Sequence, residues 1–188
     1  MSRWKNLVAR WGSGAGEIDD VRIDPSTNSI QVVDYEHHEI HGGDHYFYCD
    51  YALNQSGSAV IDFIFVSPDT DKNPHLTFSM GASEGATMEL YKGASGITGG
   101  TSITPVNNNG NSANTSAVVL TKDPSAITSD GTRAAGYVAG GGRTAGAVSR
   151  SNEIVLDRNA TYLVRISSLA TSNDIGWRAE WYEHTAKH

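Results

Sequence analysis

The chain carries a single cysteine, Cys49, among its 188 residues. One thiol cannot form an internal disulfide, so packing and hydrogen bonds must hold the fold, as expected of a protein assembled in a reducing compartment. No apolar run approaches the ~20 residues that cross a bilayer, and the N-terminus lacks the continuous apolar stretch of a signal peptide, so no membrane partner is expected. Basic residues are scarce too: 14 Lys and Arg stand against 21 Asp and Glu, a formal charge of −7. That balance excludes a general nucleic-acid binder, which needs a basic face, and suits an acidic exterior. A phosphate-cradling G-x-x-x-x-G-K-S/T loop is missing, and no other motif asks for a cofactor.

What the chain has instead is turn chemistry and short β-prone runs. A length of 188 residues with 20 glycines suits one domain, which buries about 70% of its unfolded surface. Strands are predicted at Ile30–Glu36, His45–Tyr51, Ala59–Val66, His75–Met80 and Thr87–Tyr91, then at Ala117–Thr121, Gly136–Ala139, Glu153–Leu156, Tyr162–Ser167 and Gly176–Tyr182. Turn-rich pieces such as SPDTDKNP, GASGITGG and NNNGNSANTS separate them. The spacing is that of an all-β, antiparallel β-sandwich or jelly-roll-like domain over 21–188.

Side-chain alternation refines this. Ile61, Phe63 and Phe65 share one face, while Val60, Ile64 and Val66 line the other with Asp62, so this strand should be central and covered on both sides. Tyr162, Val164 and Ile166 alternate with Leu163 and Arg165, as a half-buried strand requires. Trp177, Ala179 and Trp181 oppose Arg178, Glu180 and Tyr182 in a run expected to seal the sandwich near the C-terminus. Residues 97–150, poor in large apolar side chains, read as a long polar loop region that stays extended or orders against a neighbour.

Residues 1–20 form a separate arm. Trp4, Leu7, Val8 and Trp11 recur at helical spacing, with Arg3, Lys5 and Arg10 around them and a GSGAG run behind. This stripe either caps the domain's own core or docks on a partner, with the tryptophans as anchors and the three cations meeting an acidic surface.

Three groups of residues could carry chemistry. His37, His38, His41, Asp44 and His45 offer many ligands in a short span, with His37, His41 and His45 the candidates for a metal. The pattern misses H-E-x-x-H by one residue, and a structural or interface role is preferred over zinc. Gly81-Ala82-Ser83-Glu84-Gly85 fits G-x-S-x-G, yet the run behind it reads as the second arm of a hairpin and not as the helix a nucleophile elbow opens. Asp69, Asp71 and Asn73 begin like a calcium loop, but Pro74 and Met80 stand where its glycine and glutamate belong. Asp62 and Glu180 are the strand-borne acids a glycosidase-like pair would use. The sequons at Asn54, Asn114 and Asn159 are expected to be chance matches.

The segments EHHEIHGGDHYFYCDY, AVIDFIFVSPDT with HLTF behind it, NNNGNSANTS, ATYLVRISS and WYEH are spread over Tyr35–His184. Through them the chain resembles the head-decoration, or cement, proteins of tailed bacteriophages. The resemblance implies a β-sandwich without catalytic residues that binds the outside of a capsid assembled in the host cytoplasm. It implies the major capsid protein and other copies of the chain as partners, with a trimer favoured. Tyr46, Tyr48, Tyr51, Trp177 and Trp181 are candidate contacts between copies, although the tryptophans also suit the core. A carbohydrate- or receptor-binding module of a phage fibre, and a small β-sandwich hydrolase, are the competing readings.

Overall fold

The alternation along the β-prone runs is realised as two facing antiparallel sheets, in a computed structural model that describes residues 35–140, 146–149 and 153–185. One helix, α1 (Tyr35–Gly42), precedes β1 (His45–Gln55), β2 (Val60–Val66), β3 (Lys72–Ala82) and β4 (Ala86–Lys92). Then come β5 (Thr101–Ile103), β6 (Val106–Asn107), β7 (Val119–Lys122), β8 (Thr132–Ala139), β9 (Gly146–Ser149), β10 (Ile154–Val155), β11 (Thr161–Ser168) and β12 (Asn173–Thr185). The arm residues Arg3, Trp4, Lys5, Leu7, Val8, Arg10 and Trp11 lie outside the described residues.

The first sheet runs β10-β3-β12-β1-β6, with β9 also on β3, and the second runs β5-β7-β2-β11-β4-β8. From β1 to β4 the chain changes sheet at every step, and β11 and β12 return between the strands it has laid down. The result is two interlocked four-strand blocks, β1-β12-β3-β9/β10 and β2-β11-β4-β8, which is the jelly-roll topology.

Between the sheets Phe63 packs on Trp177 at 5.3 Å, and Phe65 meets Trp181 at 5.8 Å edge-on. These ring contacts bridge the layers and suit the aromatic quadrupole. Tyr46 is 1% exposed in this core, and burial, followed by the nearby Glu183 and Asp44 charges, pushes its phenol up to about 12. Trp177 and Trp181 are core residues as well, so of the expected contacts between copies only Tyr51 is well exposed.

The expectation for β2 holds. Ile61, Phe63 and Phe65 enter the main core, while Ile64 joins Leu163 and Ala94 in a second cluster on the outer face, beneath Ile97 and Ile127. Three other expectations are corrected. β11, expected to be half-buried, is covered on both faces, because Leu163 has no exposure and joins the outer cluster. The turn after Ala82 does not make a hairpin, since β3 and β4 belong to opposite sheets and the chain crosses the core edge there. Residues 97–150 pair more than the two strands expected at Ala117–Thr121 and Gly136–Ala139: β5 to β9 fall within them and extend both sheets. Short β-branched runs such as Val118–Thr121 supply that pairing despite the polar surroundings.

The strand expected at Ile30–Glu36 lies mostly outside the described residues, and its last two residues open α1 instead. The helix stops at Gly43, whose φ of 80° lets its N–H reach Ile40 O while the Asp44 N–H reaches Glu39 O. That is a Schellman closure, in a conformation glycine adopts without strain. A Cβ on Gly43 would also sit 2.3 Å from Ser112 Oγ. Asn54 and Asn159 take positive φ, the first where the register of β1 shifts and the second in a turn, a conformation asparagine tolerates better than most residues.

Candidate functional site

α1 places the histidines differently from a strand. His37, His38 and His41 are exposed on it, Glu39 is buried, and His45 is buried on β1. Among the described residues no three His, Cys, Asp or Glu side chains gather as metal ligands would. His45 instead joins a row across β1, β12 and β3, in the register His45–Tyr182–His75. His75 stacks on Tyr182 at 4.6 Å, and the two converge on Glu153, with His75 Nδ1 at 3.1 Å and the Tyr182 hydroxyl donating at 2.5 Å. Burial raises the Glu153 carboxyl, but these two bonds outweigh it and hold the group below its usual range. His45 Nδ1 lies 3.3 Å from Asn108 Nδ2, and His184 Nδ1 lies 3.8 Å from Glu39. The histidines therefore tie α1, β3, β10 and the Asn108 loop to the outer face of β12.

Asp62 and Glu180 cannot act as a pair. Asp62 alternates with the core residues Ile61 and Phe63, and Glu180 with Ala179 and Trp181, so they face outward from opposite sheets with the core between them. Both oxygens of Asp62 are held by Arg165, through Nε at 2.9 Å and Nη2 at 3.0 Å, and Arg165 Nη1 reaches Asp130 at 2.6 Å. The Asp62 pairing first, and Asp130 after it, push the guanidinium further above its ordinary value. Glu180 accepts from Arg178 at 2.7 Å. The hydrolase built on these two acids has no geometry to work with.

The remaining motifs are also absorbed by the fold. Ser83 accepts from the Asp174 N–H at 2.9 Å and donates to Asn173 Oδ1 at 3.3 Å, so its partners are the first residues of β12 and not a histidine base. Asp69 pairs with Arg158 at 3.2 Å, and Asn73 belongs to β3. Every lysine and arginine whose side chain is described sits within ion-pair reach of an acid: Lys72 on Asp44, Lys92 on Asp157, Lys122 on Asp50, Arg133 on Glu89, and Arg158, Arg165 and Arg178 as above. The described surface thus presents acids in excess and no unpaired cation.

Two buried anchors escaped the sequence reading. Asn173 has no exposure; its Nδ2 donates to Gly85 O at 2.9 Å and Ser168 Oγ at 3.0 Å, and its Oδ1 accepts from the Glu84 N–H at 2.9 Å. Glu183, 3% exposed, accepts from Ser116 Oγ at 2.5 Å, the Ala117 N–H at 3.0 Å and the Trp181 indole at 3.3 Å. Both stand in the inward phase of β12 with Ile175, Trp177, Ala179 and Trp181, and a polar residue in that phase was the available signal.

Acid should weaken the bonds that Glu89 and Asp50 make. Arg133 first, then Tyr91, hold the Glu89 carboxyl below its usual range, and at Asp50 the bonds from Lys122, Tyr48 and the Tyr51 N–H overcome the upward push of burial. A carboxyl with a lowered folded pKa contributes stability above the ordinary value of about 4 and loses it as pH falls through the folded value. The urea midpoint is expected to drop as pH passes below about 4, and Glu89→Gln to flatten part of that drop. Parallel curves for the variant and the parent would refute the assignment to Glu89.

No family model, curated protein or solved structure matches the chain.

Proposed function

We propose that this chain is a structural virion protein that binds the outer surface of a phage capsid and stabilises the shell by bridging neighbouring capsid subunits. The observation that carries the reading is how the polar groups are used. Asp62, Glu180, Ser83 and His45, the residues a catalytic site was expected to use, are committed to ion pairs, strand ends and stacking within the sandwich. The segments that resemble cement proteins supply α1 and β1, β2 and β3, the Asn108 loop, β11 and the end of β12, so the likeness falls on the framework of the jelly roll. A rigid sandwich with exposed apolar tips suits adhesion, and several weak contacts made together by a trimer become strong because each later one is effectively intramolecular.

The test uses heads purified without the protein. Adding it back should saturate at a fixed ratio to the major capsid protein and raise the temperature at which the heads release DNA. Absence of binding, or an unchanged release temperature at saturation, would retire the reading.

A glycan-binding module is the second reading, favoured by one feature. Tyr51 is 67% exposed and lies in register with Gly176, above which there is open space for a sugar ring. Glycan-array binding that Tyr51→Ala abolishes would support it over the first.

A further inference from the structure

We infer that Asn109 is a site of spontaneous covalent modification. Its side chain cyclises onto the Gly110 amide and, after loss of ammonia and hydrolysis, leaves an aspartate or isoaspartate that releases the tip of the 108–112 turn from the end of α1. The reaction needs no partner and is independent of capsid binding.

Asn109-Gly110 is the one Asn-Gly pair in the chain. The glycine is not there for backbone geometry. Gly110 lacks the positive φ of Gly43 and Gly131, and a Cβ on it would meet no atom within 4 Å. What the missing Cβ gives is an unhindered approach of the Gly110 nitrogen to the side chain before it. Asp130-Gly131 shows the contrast. There φ is 86°, a Cβ would strike Lys92 O at 2.3 Å, and Arg165 holds the Asp130 carboxylate at 2.6 Å.

The fold also poses the amide. Asn109 opens a turn in which the Ser112 N–H donates to Asn109 O at 2.9 Å. Its side-chain Oδ1 accepts the Asn111 N–H at 3.1 Å, an Asx turn laid over the backbone one. The ring so closed contains both Cγ and the Gly110 nitrogen, which keeps the reacting atoms in one compact loop. The N–H on Oδ1 polarises the carbonyl and meets the negative charge that grows on oxygen as nitrogen attacks. Nδ2 donates to His41 O at 3.2 Å in reach of water, a bond the amide leaves at little cost.

The Gly110 nitrogen gives its proton to water and bonds to Cγ, and the Cγ–Nδ2 bond breaks as ammonia departs. Water then opens the cyclic imide at either carbonyl. One opening gives aspartate, and the other gives isoaspartate with the backbone routed through the side chain. The balance is water in and ammonia out, with no oxidation or reduction.

His41 O stands in the last turn of α1, where backbone carbonyls carry partial negative charge. Asn109 offers it a donor; a carboxylate has none and is repelled. Isoaspartate also lengthens the backbone of the turn and undoes the Ser112 bond. Asn107 still holds Gly43 O at 2.8 Å and Asn114 still reaches Asp44, so the loosening stays at the tip.

The experiment ages the folded full chain at neutral pH and maps its peptides by mass spectrometry, beside Gly110→Ala and Asn109→Gln. The urea-denatured parent sets the intrinsic rate, and matching thermal unfolding confirms that the variants fold. A gain of about 1 Da should accumulate at Asn109, with isoaspartate among the products. The folded rate should lie within about ten-fold of the denatured one, and Gly110→Ala should slow it about ten-fold. Asn109→Gln, whose longer side chain closes a poorer ring, should abolish it. In the aged fraction amide exchange should rise several-fold at Asn111 and Ser112 and stay unchanged at Val118. A folded chain that gains no mass at Asn109 while the denatured one converts would overturn the assignment. So would conversion led by another asparagine, or Gly110→Ala converting as fast as the parent. Conversion with unchanged exchange at Asn111 and Ser112 would refute the release of the turn.

Discussion

Glu183→Ala should lower the unfolding free energy by about 4 kcal/mol, because it strips the acceptor from several buried donors at once. The carboxylate takes the Ser116 hydroxyl, the Ala117 N–H and the Trp181 indole, and the Val118 N–H lies 3.4 Å away. Alanine leaves the Ala117 N–H without its acceptor and frees the Ser116 hydroxyl, on which the Val118 N–H at 3.1 Å and the Trp181 indole at 3.2 Å must then rely alone. Glu183→Gln keeps an acceptor of the same shape without the charge, so it should cost about half as much. Urea denaturation gives the free energies, and amide exchange at Ala117 and Val118 gives the location. A loss below about 1 kcal/mol in the alanine variant would mean that this nest does not hold the segment down.

That result bears on the polar middle of the chain. Residues 97–150 lack a core of their own, which left surface extension and ordering against a neighbour as the expected outcomes. The neighbour proves to be the same domain. Ile97 and Ile127 cover the outer face of β2 and β11, Val118 and Leu120 enter the main core, and Glu183 fixes the turn before β7. Where Gly131 turns the chain into β8, φ is 86° and a Cβ would stand 2.3 Å from Lys92 O, so only glycine fits. Long polar stretches are legible as surface, but the few apolar residues that pin them are read only once their distant partners are known.

The same division runs through the whole molecule. β12 was legible because period-two burial is written in its consecutive residues, and β2 because apolar side chains in both phases mark a strand covered on two faces. Helix α1 was not, because YEHHEIHG has no apolar stripe and its stop depends on glycine geometry. Sheet membership was not legible either. GASEG has the chemistry of a tight turn whether it joins neighbours in one sheet or crosses between two, and only the pairing of β3 with β12 and of β4 with β11 decides. The catalytic candidates failed for a related reason: sequence spacing placed Asp62 and Glu180 on strands, but only the strand order put them on opposite faces.

Asn173→Ala should cost about 3 kcal/mol and should loosen the end of the sandwich built by the turns at 83–85 and 169–172. The side chain satisfies its amide within the core edge: Nδ2 serves Gly85 O and Ser168 Oγ, while Oδ1 serves the Glu84 N–H and the Ser83 hydroxyl. Deleting it leaves donors and acceptors of two turns facing a void where a residue with no exposure had stood. The loss should be local as well as global, because these turns hold Leu169 and the residues beside Leu53 in place. Faster amide exchange is therefore expected at Glu84 and Leu169 and unchanged exchange in β7, the reverse of the Glu183→Ala pattern. If exchange rises equally at both ends, β12 transmits the damage along its length and the two anchors are not independent.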